Sequence, residues 1–268
     1  MEATRPGTDA GATPLLAVRG LSKSFRGLQA LVDYELVLAP LTIHGVIGPN
    51  GAGKTTLFHL LSGFLPPTSG TIAFEGQDIT GFAAFKVARI GIGRTFQNIR
   101  LFGELSVLDN VKVALQRGSR RSLLGTLLSS PSFRREERLL DDRAMELLEL
   151  FGLHTQRDRL ARNLPYGDQR RLEIARAVGI HPKLLLLDEP NAGMNPIETQ
   201  ELLALIRRLR DELQITIVLV AHDIPLVMNL CDRIQVLNYG RLIAEGDPAA
   251  VRTNPDVIDA YLGQARHA

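Results

Sequence analysis

The chain has 268 residues, with 31 Lys and Arg against 29 Asp and Glu, which gives a formal net charge of +2 at pH 7. This length is enough to bury a large apolar core without disulfides or structural metals. A net charge so near zero does not require nucleic acid as a partner, although binding to anionic ligands or to a membrane surface is still allowed. The single cysteine, Cys231, excludes an internal disulfide and is expected to be a small buried group in a reducing compartment.

The first residues, MEATRPGTDAGATP, predict no folded element. They contain neither the apolar core nor the basic run of a secretory signal, and we expect residues 1–14 to form a disordered leader. Nowhere do about 18 apolar residues follow one another, so the sequence predicts a soluble, cytosolic chain without a membrane span.

Strand patterns dominate the next stretch. LLAVRGLSKSF (15–25) and LVDYELVL (31–38) alternate partly between apolar and polar residues, and LTIHGVIG (41–48) is an apolar strand that ends in glycine. A helix is predicted from Lys54 to Gly63, a residue that suits a helix C-terminus. The segment TIAFEG predicts the strand that follows.

The pattern changes after Phe96 and becomes helical. VLDNVKVALQ (107–116) and DDRAMELLELFGL (141–153) predict helices, and we expect a helical subdomain inserted between two halves of a sheet. Between them lies an arginine-rich stretch, residues 117–138. Its arginines are Arg117, Arg120, Arg121, Arg134, Arg135 and Arg138. A solvated helical face or loop is the simpler interpretation, and contact with lipid phosphates is the alternative.

Strand patterns return in the last third of the chain. KLLLLDEP (183–190), ITIVLVAHD (215–223) and RIQVLNYGRLIAEG (233–246) predict strands. The last of them predicts a hairpin across Tyr239 and Gly240. The alternation of helices with apolar strands predicts an α/β fold with a buried, largely parallel sheet.

A phosphate-binding loop is the most specific motif. GPNGAGKTT matches the pattern in full and lies between an apolar strand and a helix start. Its residues are Gly48, Pro49, Asn50, Gly51, Ala52, Gly53, Lys54, Thr55 and Thr56. The glycines let backbone amides approach phosphate oxygens, and the helix N-terminus adds partial positive charge. We expect Lys54 to reach the β- and γ-phosphates, Thr55 to ligate Mg²⁺ and Thr56 to bond the α-phosphate.

Polar side chains follow the apolar strands. Asp188 and Glu189 come after four leucines and are expected at the carboxyl end of a buried strand, where ligands bind in open α/β sheets. There Asp188 suits the Mg²⁺ shell, and Glu189 suits orienting and polarising the attacking water. His222 follows a second buried strand and is expected at the same edge, near the γ-phosphate. Gln97 lies at the junction with the helical insertion and, taken alone, reads as a surface residue.

The motifs follow one another in the order found in ATP-binding cassette (ABC) ATPases, and the chain resembles that family. The resemblance implies a P-loop NTPase (RecA-like) core with an antiparallel β subdomain and an inserted α-helical subdomain. It implies ATP and Mg²⁺ as cofactors, with Thr55, Gln97 and Asp188 at the metal. Phe25 is then the aromatic that stacks on adenine, and Gln97 senses the metal and the attacking water. Family members work as head-to-tail dimers, in which each ATP lies between one chain's phosphate loop and the other's signature loop.

The patterns and the resemblance together divide the chain into five parts. They are a leader (1–14), the first half of the ATPase core with the antiparallel β subdomain and phosphate loop (15–96), the helical subdomain with the signature loop (97–170), the second half of the core (171–246) and a C-terminal helical extension (247–268).

The resemblance becomes more specific through three segments: the signature stretch, GMNP and the terminal NPDVIDAYLG. They resemble the ATPases of branched-chain amino acid importers, in particular the subunit that pairs with a second, different ATPase. This implies Glu189, His222 and Gln97 as catalytic residues and a place on the cytoplasmic side of the inner membrane. The implied partners are two permease subunits, a second ATPase or a second copy, and indirectly a periplasmic binding protein, but no nucleic acid.

Other classes stay open as alternatives. A urea or lipid-export cassette is the nearest one. A soluble ATPase acting on DNA or ribosomes is disfavoured, because the chain has one cassette and no sustained heptads. A binding module without catalysis is disfavoured because every catalytic residue type is present.

The signature, residues 164–169, keeps the leucine and second glycine of the family's LSGGQ as Leu164 and Gly167, which are expected to contact nucleotide across the dimer interface. It departs from LSGGQ elsewhere, at Pro165, Tyr166 and Asp168.

These departures remove groups that would face the ATP of the other chain. Pro165 lacks both the serine hydroxyl and an amide donor. We expect Asp168 to turn away from phosphate and either cap the helix or pair with Arg171. The site completed by this signature is therefore predicted to be the weaker of two unequal sites. Asn195 also stands where many cassettes have an aspartate.

Overall fold

A computed structural model of the protein describes residues 13–116 and 131–265. The predicted leader lies outside these ranges except for its last two residues, and so do residues 117–130 of the arginine-rich stretch and 266–268 of the predicted C-terminal extension. Within the described ranges, no helix combines the length and the apolar character that crossing a bilayer requires.

The described residues form two sheets with helices around them. The strands are β1 (Leu16–Phe25), β2 (Leu28–Leu38), β3 (Ile43–Ile47), β4 (Ser69–Phe74), β5 (Gln77–Asp78), β6 (Ile92–Arg94), β7 (Leu184–Asp188), β8 (Thr216–Val220), β9 (Arg233–Asn238) and β10 (Arg241–Gly246). The α-helices are α1 (Lys54–Leu61), α2 (Ala84–Arg89), α3 (Val107–Leu115), α4 (Pro131–Leu150), α5 (Tyr166–Val178), α6 (Pro196–Asp211), α7 (Ile224–Leu230), α8 (Pro248–Thr253) and α9 (Pro255–Ala265).

The smaller sheet is antiparallel, in the order β2-β1-β4-β5. One of its faces is apolar and buried, through Leu16, Val18 and Leu21 of β1 and Ile72 and Phe74 of β4. The partial alternation in the sequence therefore corresponds to a sheet with one buried face, as antiparallel sheets commonly have.

The larger sheet has the order β10-β9-β3-β8-β7-β6 and is parallel except for the β9–β10 pair at its edge. Every residue of β3, β7 and β8 is buried. This confirms the predicted, largely parallel sheet, because strands covered on both faces read as continuous apolar runs. The hairpin turn is at Tyr239 and Gly240, as predicted, and both have positive φ (45° and 77°), which suits a two-residue type I′ turn.

Strand β7 separates two apolar layers. Leu184 and Leu186 face a core shared with the antiparallel sheet and α1. Leu185 and Leu187 face the opposite core, which the helices α5, α6 and α7 cover. Cys231 is buried at the edge of this second core, as expected, and burial raises the pKa of its thiol.

Helices α3 and α4 lie within the stretch predicted to be helical after residue 96, and α5 (Tyr166–Val178) crosses its predicted end at residue 170. Val107 and Val111 of α3 pack into one cluster with Ala144 and Leu148 of α4. Helix α4 begins earlier than predicted, and the described end of the arginine-rich stretch is a solvated helical face, since Arg135 and Arg138 are exposed on it. The fold class is confirmed, with a parallel α/β core, an antiparallel sheet and an inserted helical part.

The parallel arrangement determines where the functional side chains meet. Strands β3, β6, β7 and β8 run in one direction, so their carboxyl ends lie along one edge of the sheet. The phosphate loop follows β3, Gln97 follows β6, Asp188 and Glu189 end β7, and His222 follows β8. Residues far apart in the sequence are thus brought to one edge.

Candidate nucleotide site

The phosphate loop joins β3 to α1, and two of its glycines are required by close backbone approach. Gly48 has φ 150°, and a Cβ atom there would lie 2.1 Å from the Leu237 carbonyl oxygen. Gly53, the N-cap of α1, has φ 104°, and a Cβ atom there would lie 2.5 Å from the Ala30 carbonyl oxygen. The loop is therefore held between the β2 and β9 backbones, with the N-terminus of α1 at its end.

The Lys54 side chain lies back along this loop. Its ammonium group donates to the carbonyl oxygens of Gly48 (2.6 Å) and Pro49 (2.8 Å) and is nearly buried. Burial lowers the pKa of Lys54, and the negative charges of Glu189 and Asp188 oppose that shift. A cation so poorly hydrated is suited to bind phosphate oxygens.

A cavity of about 490 Å³ opens in front of the loop, which is within the range of small-ligand sites. It is lined by Leu28, Gln29, Ala30, Asn50, Gly51, Ala52, Gly53, Lys54, Thr55, Thr56, Gln97, Glu189, His222 and Tyr239. Most of the phosphate loop and all three residues predicted to be catalytic therefore share one cavity.

Glu189 contacts both of the other residues predicted to be catalytic at the cavity wall. His222 Nε2 lies 2.5 Å from Glu189 Oε1, and the Gln97 amide donates to Glu189 Oε2 over 3.5 Å. The Glu189 backbone has φ 47°, a conformation uncommon for a residue other than glycine, and its amide donates to the Val220 carbonyl at 2.8 Å. The turn after β7 thus aims the Glu189 carboxylate between Gln97 and His222.

Asp188 is buried next to the cavity and is held by a residue that no sequence pattern singles out. Its Oδ2 accepts from Arg94 Nη2 at 3.1 Å, and its amide donates to Thr95 Oγ1 at 3.1 Å. The Arg94 guanidinium also donates to Ser62 Oγ at 2.8 Å. The only hint in the sequence is an arginine at the end of a short buried strand, three residues before Gln97.

The oxygen atoms near the loop fit a magnesium ion. Thr55, Gln97 and Asp188 offer a hydroxyl, an amide oxygen and a carboxylate, all hard ligands of the kind that Mg²⁺ prefers. No group of three or more His, Cys, Asp or Glu residues that could hold a metal occurs among the described residues.

Phe25 is not part of the cavity lining. Its ring is 40% exposed at the end of β1, with the Lys23 ammonium 5.2 Å from the ring centre. Leu28, across the β1–β2 turn, and Tyr239, which is 82% exposed, are the large apolar and aromatic groups at the cavity rim. Stacking of Phe25 on adenine stays a prediction, and Tyr239 is an aromatic residue at the rim that the sequence motifs do not indicate.

The signature residues lie away from this cavity, at the start of α5, and pack against the turn into α6. Gly167 is buried, and a Cβ atom there would lie 2.9 Å from Glu198 Oε1. A Cβ atom on Gly193 would lie 2.9 Å from the Tyr166 ring. Asn195 caps α6, with its side chain accepting from the amides of residues 197 and 198. Leu164, just before α5, is buried in the helical core.

Both expectations for Asp168 are wrong. The N-cap of α5 is Pro165, without a side-chain cap, and Arg171 pairs instead with Glu201. The Asp168 carboxylate accepts from the Gln156 amide at 2.8 Å, because the short 3₁₀ helix His154–Gln156 brings that side chain close. Asp168 therefore links the signature loop to the 3₁₀ helix that precedes it in the chain.

Comparison with known proteins identifies the family. A family model described as ABC transporter matches residues 31–192, and one described as branched-chain amino acid ATP-binding cassette transporter matches residues 241–267. The high-affinity branched-chain amino acid transport ATP-binding protein LivG of Escherichia coli K12 is 50% identical, over 94% of this chain and 99% of that protein. The corresponding protein BraF of Pseudomonas aeruginosa is 47% identical over the same shares.

More distant relatives also match over most of the chain. The lipopolysaccharide export system ATP-binding protein LptB of Escherichia coli K12 is 35% identical, over 93% of this chain and 97% of that protein. The crystal structure of the ADP conformation of MJ1267, an ATP-binding cassette of an ABC transporter, superposes with a TM-score of 0.80 at 30% identity, covering 94% of this chain and 100% of the other. With its phosphate loop and its strand-end carboxylates, this chain belongs to the ABC transporter family, as an ATP-binding subunit with ATPase activity.

Proposed function

We propose that this protein is the ATP-hydrolysing subunit of an importer for branched-chain amino acids. The observation that carries the proposal is the 50% identity to a branched-chain amino acid transport protein along nearly the full length of both chains. The match of residues 241–267 to a branched-chain cassette model also supports it, and that segment lies outside the general cassette match.

The cavity supports a division of labour in hydrolysis. Lys54 and the amides of the phosphate loop bind the β- and γ-phosphates, and Thr56 bonds the α-phosphate. Thr55, Asp188 and Gln97 are the residues that would hold Mg²⁺, which would neutralise charge on the phosphates when bound. Glu189 orients and polarises the attacking water, and His222 contacts the γ-phosphate while its Nε2 holds the Glu189 carboxylate at 2.5 Å.

A head-to-tail dimer completes each site. The lining of the cavity contains neither Leu164 nor Gly167. A signature that lies away from its own phosphate loop is available to the ATP held by another subunit, either a second copy or a related ATPase. The N-terminus of α5 then faces that ATP.

The permease subunits dock in a groove beside the helical subdomain, residues 97–170. A cavity of about 360 Å³ lies there, with Phe64 and Phe96 among its lining and three arginines, Arg94, Arg100 and Arg176. Aromatic faces next to guanidinium groups suit a protein segment with apolar and acidic side chains. Docking there places the chain on the cytoplasmic face of the membrane as a peripheral subunit.

Purification of an affinity-tagged copy from its native membrane tests the assembly. We expect recovery of two permease subunits and a second ATPase, and loss of leucine uptake from cells that lack the gene, restored by the wild-type copy. Recovery of a lipid-export complex with leucine uptake intact would favour the chemistry of the 35% identical relative instead, and recovery of ribosomes would contradict both.

Replacing Pro165 with serine tests the predicted inequality of the two ATP sites. The Pro165 backbone (φ −54°, ψ 153°) suits a serine N-cap, so the variant restores a hydroxyl and an amide donor without strain. One regained hydrogen bond is worth about 0.5–1.5 kcal/mol, so ATP affinity at the site completed by this signature should rise about 2- to 10-fold.

The measurement is nucleotide titration of the assembled transporter. Pro248→Ser, the same change at the first residue of α8, is the matched control and should leave ATP affinity unchanged. If Pro165→Ser changes neither affinity nor turnover, the missing hydroxyl does not limit the site.

A further inference from the structure

A charged side chain in the signature helix is completely buried and reaches the residues of the hydrolytic site. Arg170, in the second turn of α5, has an exposed fraction of 0%. Its Nη1 donates to the Phe96 carbonyl at 2.6 Å, and its Nη2 donates to the carbonyls of Gln97 at 3.1 Å and Glu189 at 3.2 Å. One guanidinium therefore holds the backbone of both Gln97 and Glu189.

Glu173, one turn further along α5, completes the arrangement. Its Oε2 accepts from Arg170 Nη1 at 2.7 Å. Its Oε1 accepts from the backbone amides of Phe96 at 3.2 Å and Arg100 at 3.4 Å. Burial raises the pKa of Glu173, while the Arg170 charge and these amides oppose the shift. Arg170 and Glu173 thus hydrogen-bond to the backbone on both sides of Gln97, at Phe96 and at Arg100.

Stability alone does not account for these two charges. A buried ion pair is commonly no more stabilising than apolar residues of similar volume, because desolvation offsets the attraction. Arg170 Nε has no partner among the described residues. Apart from the bond between the two side chains, their hydrogen bonds converge on the segment 96–100 and on the carbonyl of Glu189, a residue in an uncommon backbone conformation. These hydrogen bonds therefore hold the backbone of two residues predicted to be catalytic, Gln97 and Glu189.

We propose that Arg170 and Glu173 are positioning residues for ATP hydrolysis. They fix Gln97 and Glu189 relative to the signature helix, so a shift of α5 when its N-terminus meets the ATP of the other subunit moves both residues together. The hydrolytic geometry at one site then depends on whether the same chain's signature is engaged at the other. This proposal rests on the proposed roles of Glu189 and Gln97.

The test uses the purified full chain with Mg-ATP, and it separates positioning from folding. Arg170→Lys keeps a cation beside Glu173 but lacks the planar fork that spans the Gln97 and Glu189 carbonyls. We expect its kcat to fall about 10- to 100-fold, since displacing reacting groups by about 1 Å costs up to about 100-fold. ATP affinity should change less than about twofold, because the phosphate loop is untouched.

A double variant and a control complete the design. Arg170→Met with Glu173→Met removes both charges without leaving either one unpaired, and we expect kcat to be reduced and Tm to fall, because the buried backbone groups that the pair satisfied lose their partners. Arg171→Met is the matched control, since the neighbouring arginine pairs with Glu201 and contacts neither Gln97 nor Glu189, and its kcat should stay at the wild-type value. For the positioning role to hold, the loss of kcat in each variant must exceed its loss of folded protein, which circular dichroism measures.

The outcomes are distinguishable from failure of the proposed function. Wild-type kcat in Arg170→Lys and in the double variant would overturn the positioning role. A kcat loss that matches the unfolded fraction would overturn it too, in favour of a structural role. If Glu189→Gln hydrolyses ATP normally, the assigned role of Glu189 fails, whatever the Arg170 variants do.

Discussion

Replacing Glu189 with glutamine is expected to lower kcat for ATP hydrolysis by about 10²- to 10⁴-fold, the usual contribution of a positioned general base. The amide has the same shape as the carboxylate but cannot accept a proton from water. It also loses the charge that holds His222 Nε2 at 2.5 Å. Because Glu189 lines the cavity without belonging to the phosphate loop, ATP affinity should be retained within about threefold.

Steady-state phosphate release and equilibrium nucleotide binding, measured on the same preparation, check this expectation. Glu201→Gln is the matched control, because that carboxylate lies on the surface of α6 and pairs with Arg171, away from the cavity. Turnover near the wild-type value in Glu189→Gln would contradict the role of Glu189 in activating the attacking water.

Replacing Lys54 with methionine is expected to weaken ATP binding about 100-fold or more. Hydrogen bonds to charged groups are worth about 1.5–3 kcal/mol each, and the ammonium is placed to make two of them, to the β- and γ-phosphates. In the absence of the Lys54 charge, the negative charges of Asp188 and Glu189 next to the loop oppose phosphate binding more strongly.

Titration calorimetry with ATP and Mg²⁺ measures the affinity, and thermal unfolding measures the fold. Methionine is unbranched and of similar length, so Tm should be unchanged or higher once a buried charge is gone. Lys183→Met, which removes an exposed lysine paired with Glu75, should bind ATP like the wild type. Unchanged affinity in Lys54→Met would mean that the lysine does not reach the phosphates.

The sequence predicts the sheet and the cavity because both depend on local patterns. Continuous apolar runs predict β7 and β8, and polar residues directly after such runs must lie at the carboxyl edge of a parallel sheet. That rule alone brings Asp188, Glu189 and His222 together. The phosphate loop is equally local, since the strand, the glycines and the helix start are contiguous.

The contacts that no pattern reveals are long-range and polar. Arg94 and Arg170 look like ordinary charged residues in the sequence, and only the packing of β6 and α5 against β7 buries them next to Asp188 and Glu189. Asp168 has three chemically reasonable partners within reach of its helix. The position of the 3₁₀ helix His154–Gln156 selects Gln156 among them. Side-chain direction at a loop end, as at Phe25, is likewise settled by tertiary packing.

The two apolar layers on either side of β7 have a consequence for motion. A strand buried on both faces and hydrogen-bonded on both sides opens only with the whole domain, so the backbone of β7, which ends at Asp188, is expected to be among the stiffest parts of the molecule. Asp188 thus keeps a fixed position, whereas Glu189 lies in the turn after the strand and is joined to α5 through Arg170. We therefore expect the motions of a transport cycle in the elements around β7, which include α5 and the turn at Glu189 that Arg170 joins to it.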